Sequence, residues 1–158
     1  MQTATIYCKT YIAQWLYFNF GNPVRLNRNT NFRYTLLASL TKDFHPHSDY
    51  NKKLYPVRVE IELHDHLISE MGHTLSLSQQ HHINEVISEY MDCEIYQFVA
   101  AHNMNGMNKD DALAKYLQVC EFSEEHFNFE TIRTRYFRFL RELNKIYVTS
   151  DTLQNARS

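Results

Sequence analysis

Glycine and proline are scarce, with three of each in 158 residues. Sandwiches and barrels need many turns, and turns lean on these two residues, so the shortage favours a helix-rich fold. It also argues against a backbone loop closing tightly around a phosphate. Cysteine is limited to Cys8, Cys93 and Cys120, an odd number, widely spaced and without a Cys-x-x-Cys pair. That pattern argues against a disulfide framework and for a reducing compartment. No run of about eighteen apolar residues occurs, so no membrane-spanning helix is expected. The N-terminal stretch MQTATIYCKTYIAQWLYFNFG lacks a basic start, an unbroken apolar run and a small-residue cleavage site. A cytoplasmic protein is therefore expected. GxSxG, HExxH, the phosphate-binding glycine loop and the dinucleotide fingerprint are also missing. The expectation is a non-enzymatic protein without a cofactor.

Charge is present but segregated. The formal net charge is −2. Residues 1–58 carry roughly +6, residues 59–130 roughly −12 and the remainder roughly +4. Basic ends can bind a polyanion. They can equally attract an acidic middle, within one molecule or between copies.

The length suits one globular domain over 1–147, with a possible helical subdomain at 107–147 and a flexible tail over 148–158. A short strand is expected at 3–9, with Ile6 and Cys8 facing one way. A helix follows over 11–20, capped by Thr10 and ended by Gly21 and Pro23, with Trp15 at core spacing. Residues 22–28 read as extended, Val24 and Leu26 inward and Arg25 outward. A second helix is expected over 29–41, burying Phe32, Leu36, Leu37 and Leu40, then a mobile polar loop over 43–53. The clearest strand signal is 55–63, where Val57, Val59, Ile61 and Leu63 alternate with Arg58, Glu60 and Glu62. Its partners are expected to be the segments around Ile6 and Val24. Residues 65–71 suggest a short helix closed by Gly72. Ser76 or Ser78 opens the longest helix, on which Ile83, Val86, Ile87, Tyr90 and Met91 share a face. The apolar set then rotates to Ile95, Phe98 and Val99 past Glu94, which suggests a bend near Asp92 or a second partner surface. Another helix runs from Asn108 to about Cys120. The fold expected is α+β: a small, mostly antiparallel sheet packed by five or six helices, with an all-helical C-terminal half.

Three groups of residues bear on chemistry. Among nine histidines, only His64 and His66 follow the best strand at a spacing that chelates a metal, and no third ligand lies at zinc-motif spacing. Solvated or hydrogen-bonded histidines are the favoured explanation, and no metal site is expected. The three cysteines sit at core-like positions. The third group is the stretch 128–147, NFETIRTRYFRFLRELNKIY. At helical spacing Ile132, Tyr136, Phe139, Leu140 and Leu143 form an apolar stripe. The opposite face carries Thr134, Phe137, Arg138, Arg141 and Lys145, flanked by Arg133 and Arg135. A solvated face usually mixes Lys with Glu, whereas Arg beside an exposed aromatic suits phosphate binding or stacking. Arg133, Phe137, Arg138, Arg141 and Lys145 are the candidate contacts to nucleic acid or to a protein partner. With the preceding helix they resemble a helix-turn-helix, although the connection is long and carries Glu121, Glu124 and Glu125. The ending Ile-Arg-x-Arg-Tyr-x-Arg-x-Leu-Arg, with Tyr-Ile-x-x-Trp-Leu and Phe-Gly-Asn-Pro-Val near the start, resembles small uncharacterised accessory proteins of bacterial phages and conjugative elements. That resemblance implies an accessory role in a mobile element and carries over no functional residue. The function expected is nucleic-acid binding. The alternative is a self-assembling or protein-binding module, and in either case a homo-oligomer is expected, most simply a two-fold dimer.

Overall fold

The computed structural model describes the backbone of residues 2–27, 30–42 and 53–155, and their side chains except at 31 and 147–155. Of the loop expected at 43–53, all but Lys53 lies outside the described residues, as do His45 and His47. The chain divides into two compact units, Met1–Tyr90 and Met91–Ser158.

The first unit holds β1 (Gln2–Cys8), α1 (Thr10–Phe20), β2 (Val24–Arg25), α2 (Asn31–Ser39), β3 (Val57–Leu63), α3 (Asp65–Met71) and the start of α4 (Leu77–Met104). The sheet order is β1-β3-β2. β1 pairs with β3 antiparallel along its whole length, and β2 pairs with β3 parallel through Val24 and Arg25. The fold is α+β, with a small, mostly antiparallel mixed sheet and six helices among the described residues.

The alternation along β3 produces the expected two-faced strand, because successive side chains point to opposite faces. Val59, Ile61 and Leu63 are buried, and Arg58 and Glu60 are exposed. Two positions differ. Val57, at the start of the strand, is only half-buried. Glu62 is also half-buried, since Arg25 stands opposite it on β2 and donates from Nε to its carboxylate at 2.7 Å. Ala4, Ile6 and Cys8 of β1 are buried on the core side.

Helix α1 starts one residue earlier than expected: Lys9 occupies the cap position and Thr10 is already helical. Trp15 is a core anchor, its ring 5.8 Å from Phe20 and 6.2 Å from Phe32. Phe32, Leu36, Leu37 and Leu40 bury as the spacing on α2 required. Helix α3 ends at Gly72, which has φ +98°, and a Cβ there would collide with the backbone carbonyl of Thr41. Helix α4 opens with a reciprocal capping box. The Ser76 amide donates to Gln79 Oε1 at 2.8 Å, and the Gln79 amide donates to Ser76 Oγ at 3.4 Å.

The outer edge of β1 is covered by groups that periodicity does not reveal. The Thr5 amide donates to the His73 carbonyl at 3.3 Å. The Tyr7 amide donates to Gln80 Oε1 at 3.0 Å, while Gln80 Nε2 and Asn84 Nδ2 donate back to the Tyr7 carbonyl, the latter at 2.7 Å. The Lys9 amide donates to Asn84 Oδ1 at 3.2 Å. Two carboxamides of α4 thus complete the ladder of an edge strand, a position where unpaired backbone groups would otherwise invite another chain.

The second unit holds the rest of α4, α5 (Lys109–Val119) and α6 (Phe129–Asn155). It is helical throughout, apart from its connections. Along α4 the buried apolar residues keep a constant spacing of four: Ile83, Ile87, Met91, Ile95 and Val99. Each such step advances about 40° around the helix, so the rotation expected near Asp92 is a gradual winding of the stripe. Tyr90, expected on the buried face, is exposed. Glu94 is half-buried and accepts the Tyr116 hydroxyl at 2.9 Å. Asn108 caps α5 by accepting the Asp111 amide at 2.8 Å. Backbone helix continues through Asn155 into the segment expected as a tail, and residues 156–158 lie outside the described residues. No helix among the described residues is long and apolar enough to cross a membrane.

Candidate nucleic-acid interface

Helix α6 begins with a cap made by Asn128, whose Oδ1 accepts the Thr131 amide and hydroxyl, each at 2.9 Å. Ile132 and Tyr136 are buried, and Phe139, Leu140 and Leu143 are half-buried, so the apolar stripe fades toward the C-terminal end. Tyr96 of α4 packs on that stripe, 6.4 Å from Tyr136 and 5.7 Å from Phe139 between ring centroids.

The cations of α6 meet three different surroundings. Arg135, read from the sequence as a flank, is 8% exposed. Its Nε donates to Asp92 Oδ1 at 2.7 Å, and its guanidinium lies over Phe127. Arg133 is exposed and bonds Asp110 Oδ1 at 3.2 Å, with its guanidinium 5.3 Å from the Phe137 ring centroid. Arg138, Arg141 and Lys145 are exposed and follow one another at spacings of three and four, along one face. Lys145 bonds Glu142 at 2.8 Å. That bond and then the Lys145 charge hold the Glu142 carboxyl below its usual range; desolvation opposes them, and the Arg141 charge adds a lesser lowering. Arg138 and Arg141 form no ion pair with a carboxylate among the described residues.

Phe137 does not stand free among the cations as expected. It is half-buried, edge-on to Tyr136 at 5.3 Å, and Arg133 lies over its ring. Asn103, Asn108, Lys109, Asp110 and Asp111 join Arg133 and Phe137 around a shallow depression. Its two aspartates make this end of the α6 face less favourable for a phosphate than the end at Arg138–Lys145.

The connection between α5 and α6 covers 120–128 and departs from a helix-turn-helix turn of three or four residues. Glu121 takes a left-handed φ of 52°, and the Ser123 carbonyl accepts the amides of His126 and Phe127 at 3.0 and 2.9 Å. Phe122 and Phe127 are buried with centroids 4.9 Å apart, while Glu121, Glu124 and Glu125 are exposed. The aromatic pair explains the length of the connection: two large side chains must turn inward before α6 begins.

The remaining candidates lie elsewhere. His64 and His66 are exposed, their rings stacked 5.8 Å apart, and no group of three or more ligating side chains suited to a metal occurs among the described residues. Burial pushes the Cys8 thiol far up. It also pushes Cys120 up to about 11, where a hydrogen bond from Tyr116 works against it and the Glu94 charge adds to it. Sequence reasoning missed Arg135–Asp92, Gln80 and Asn84. The only signal for the last two was a pair of carboxamides four residues apart on a helix face otherwise apolar. No protein-family model, curated protein or solved structure matches the chain.

Proposed function

We propose that the protein is a non-catalytic, cytoplasmic nucleic-acid-binding accessory protein, with the C-terminal end of the α6 face as its contact surface. The observation that carries this reading is the exposed row Arg138, Arg141 and Lys145, in which both arginines lack a carboxylate partner among the described residues. From Arg138 to Lys145 the helix rises about 10 Å, roughly three base steps of a duplex. Guanidinium groups bind phosphate oxygens in pairs, and such contacts supply affinity without reading sequence. A non-catalytic role agrees with Cys8 and Cys120, whose protonated thiols are poor nucleophiles. An accessory role in a mobile element is what the resemblance of the C-terminal stretch to such proteins implies. The test is fluorescence anisotropy of short duplexes of unrelated sequence at low salt. Arg138→Ala, Arg141→Ala and Lys145→Ala should each weaken binding by a similar factor on every duplex. No binding by the wild type would reject the reading.

The second reading is a protein partner, including a second copy. It draws on the exposed apolar Ile146 next to Lys145. On that reading the chain sediments at twice the mass of one copy at micromolar concentration and physiological salt. Arg141→Glu then shifts it to a single copy.

A further inference from the structure

We propose that the first unit carries a second anion site, a pocket that binds a phosphate group, either free phosphate or the monoester of a small molecule. The pocket has a volume of about 390 Å³ and is lined from four elements and the segments beside them. Arg25 comes from β2, Arg33 from α2, and His64 and His66 from the start of α3, with Leu26, Leu63 and Leu67 forming apolar wall.

Two guanidiniums and two imidazoles converge on a cavity whose lining holds one carboxylate, Glu62. Glu62 is already engaged by Arg25, through Nε at 2.7 Å and a second nitrogen at 3.4 Å. That leaves the Arg33 charge uncompensated within the lining. Arg33 is half-buried, and its Nε is shielded from solvent with no hydrogen-bond partner among the described residues. A guanidinium in the lining with no carboxylate partner there favours an anion, which would supply the missing counter-charge. Planar guanidinium groups match phosphate oxygens in pairs, and His64 and His66 in the same lining add further donors. The apolar wall would cover the organic body attached to the phosphate. Stacked at 5.8 Å, the two rings thus serve as anion donors, not as a metal chelate.

Glu62 and the ligand compete for Arg25, and this yields a test with opposite signs. The probes are inorganic phosphate, a nucleoside 5′-monophosphate, the corresponding neutral nucleoside and succinate, each titrated calorimetrically into the full chain. Phosphate or the monophosphate should bind saturably, and the nucleoside should not. Equal affinities for the two would identify free phosphate as the ligand, and a tighter monophosphate would identify a monoester. Arg33→Gln should weaken binding about tenfold or more, whereas Glu62→Gln should strengthen it by a similar factor by releasing Arg25. A purely structural role for Glu62 predicts the reverse. Arg138→Ala should leave this affinity unchanged, which separates the pocket from the α6 surface. The proposal is overturned if neither phosphate binds, if succinate binds as tightly as the monophosphate, or if folded Glu62→Gln binds no better than wild type.

Discussion

Arg135 and Arg138 are three residues apart on α6, yet one is sunk against Asp92 and the other stands in solvent. Truncating one member of a buried ion pair leaves the other charge without compensation. Arg135→Ala should therefore destabilise the protein by about 2–4 kcal/mol, less than a fully buried pair because both side chains keep some exposure. Arg138→Ala should stay within about 0.5 kcal/mol of wild type. Urea denaturation of both variants makes the comparison, and equal losses would refute the assignment of these residues to core and surface. Cys8 supports a pH prediction. Its folded-state pKa is raised by burial, so the unfolded chain gives up this proton first as pH rises. Stability contributed by the neutral thiol is complete below the ordinary thiol pKa of about 8.5 and falls above it, by up to about 1.4 kcal/mol per pH unit. Cys8→Ala should flatten the alkaline limb of stability against pH, and an unchanged limb would contradict the burial of this thiol.

At the scale of elements, β3 was legible in the sequence because alternation is a local signal, and Val59, Ile61 and Leu63 obey it. The parts that were not legible are contacts between residues far apart in the chain. Gln80 and Asn84 meet Tyr7 across more than seventy positions, and Glu62 meets Arg25 across thirty-seven. The two carboxamides four residues apart on an apolar helix face mark a polar contact, but nothing within the helix names the strand they meet. Phe137 differs for another reason: Tyr136 and Arg133 are its neighbours in the chain, and helical spacing alone does not tell that their side chains close around its ring. The covered edge of β1 gives a sharp expectation. Asn84→Leu removes one donor to the Tyr7 carbonyl and the acceptor of the Lys9 amide, and should cost about 1–3 kcal/mol. Hydrogen exchange at Lys9 should accelerate more than exchange at Ile6. Protection unchanged at Lys9 would mean that the carboxamide does not close the ladder. Gly72→Ala should also destabilise, by about 2 kcal/mol or more, because left-handed strain adds to the collision with Thr41.

Over the whole chain, the charge blocks read from the sequence do not follow the division into units. The boundary at Tyr90 and Met91 falls inside the acidic stretch 59–130, so each unit holds both signs. Part of the segregation is used internally, as Arg133–Asp110 and Arg135–Asp92 in the second unit and Arg25–Glu62 in the first. Among the exposed cations, the account rests on the short row at the end of α6 and on its binding nucleic-acid phosphates. The most direct test is the slope of log affinity for duplex DNA against log salt concentration. Each phosphate neutralised releases counterions, and the slope steepens by roughly 0.9 per contact. The account predicts a wild-type slope of about two to three, reduced by about one in Arg138→Ala and again by about one in Arg138→Ala/Arg141→Ala. Identical slopes for all three proteins, or no binding at low salt, would contradict it.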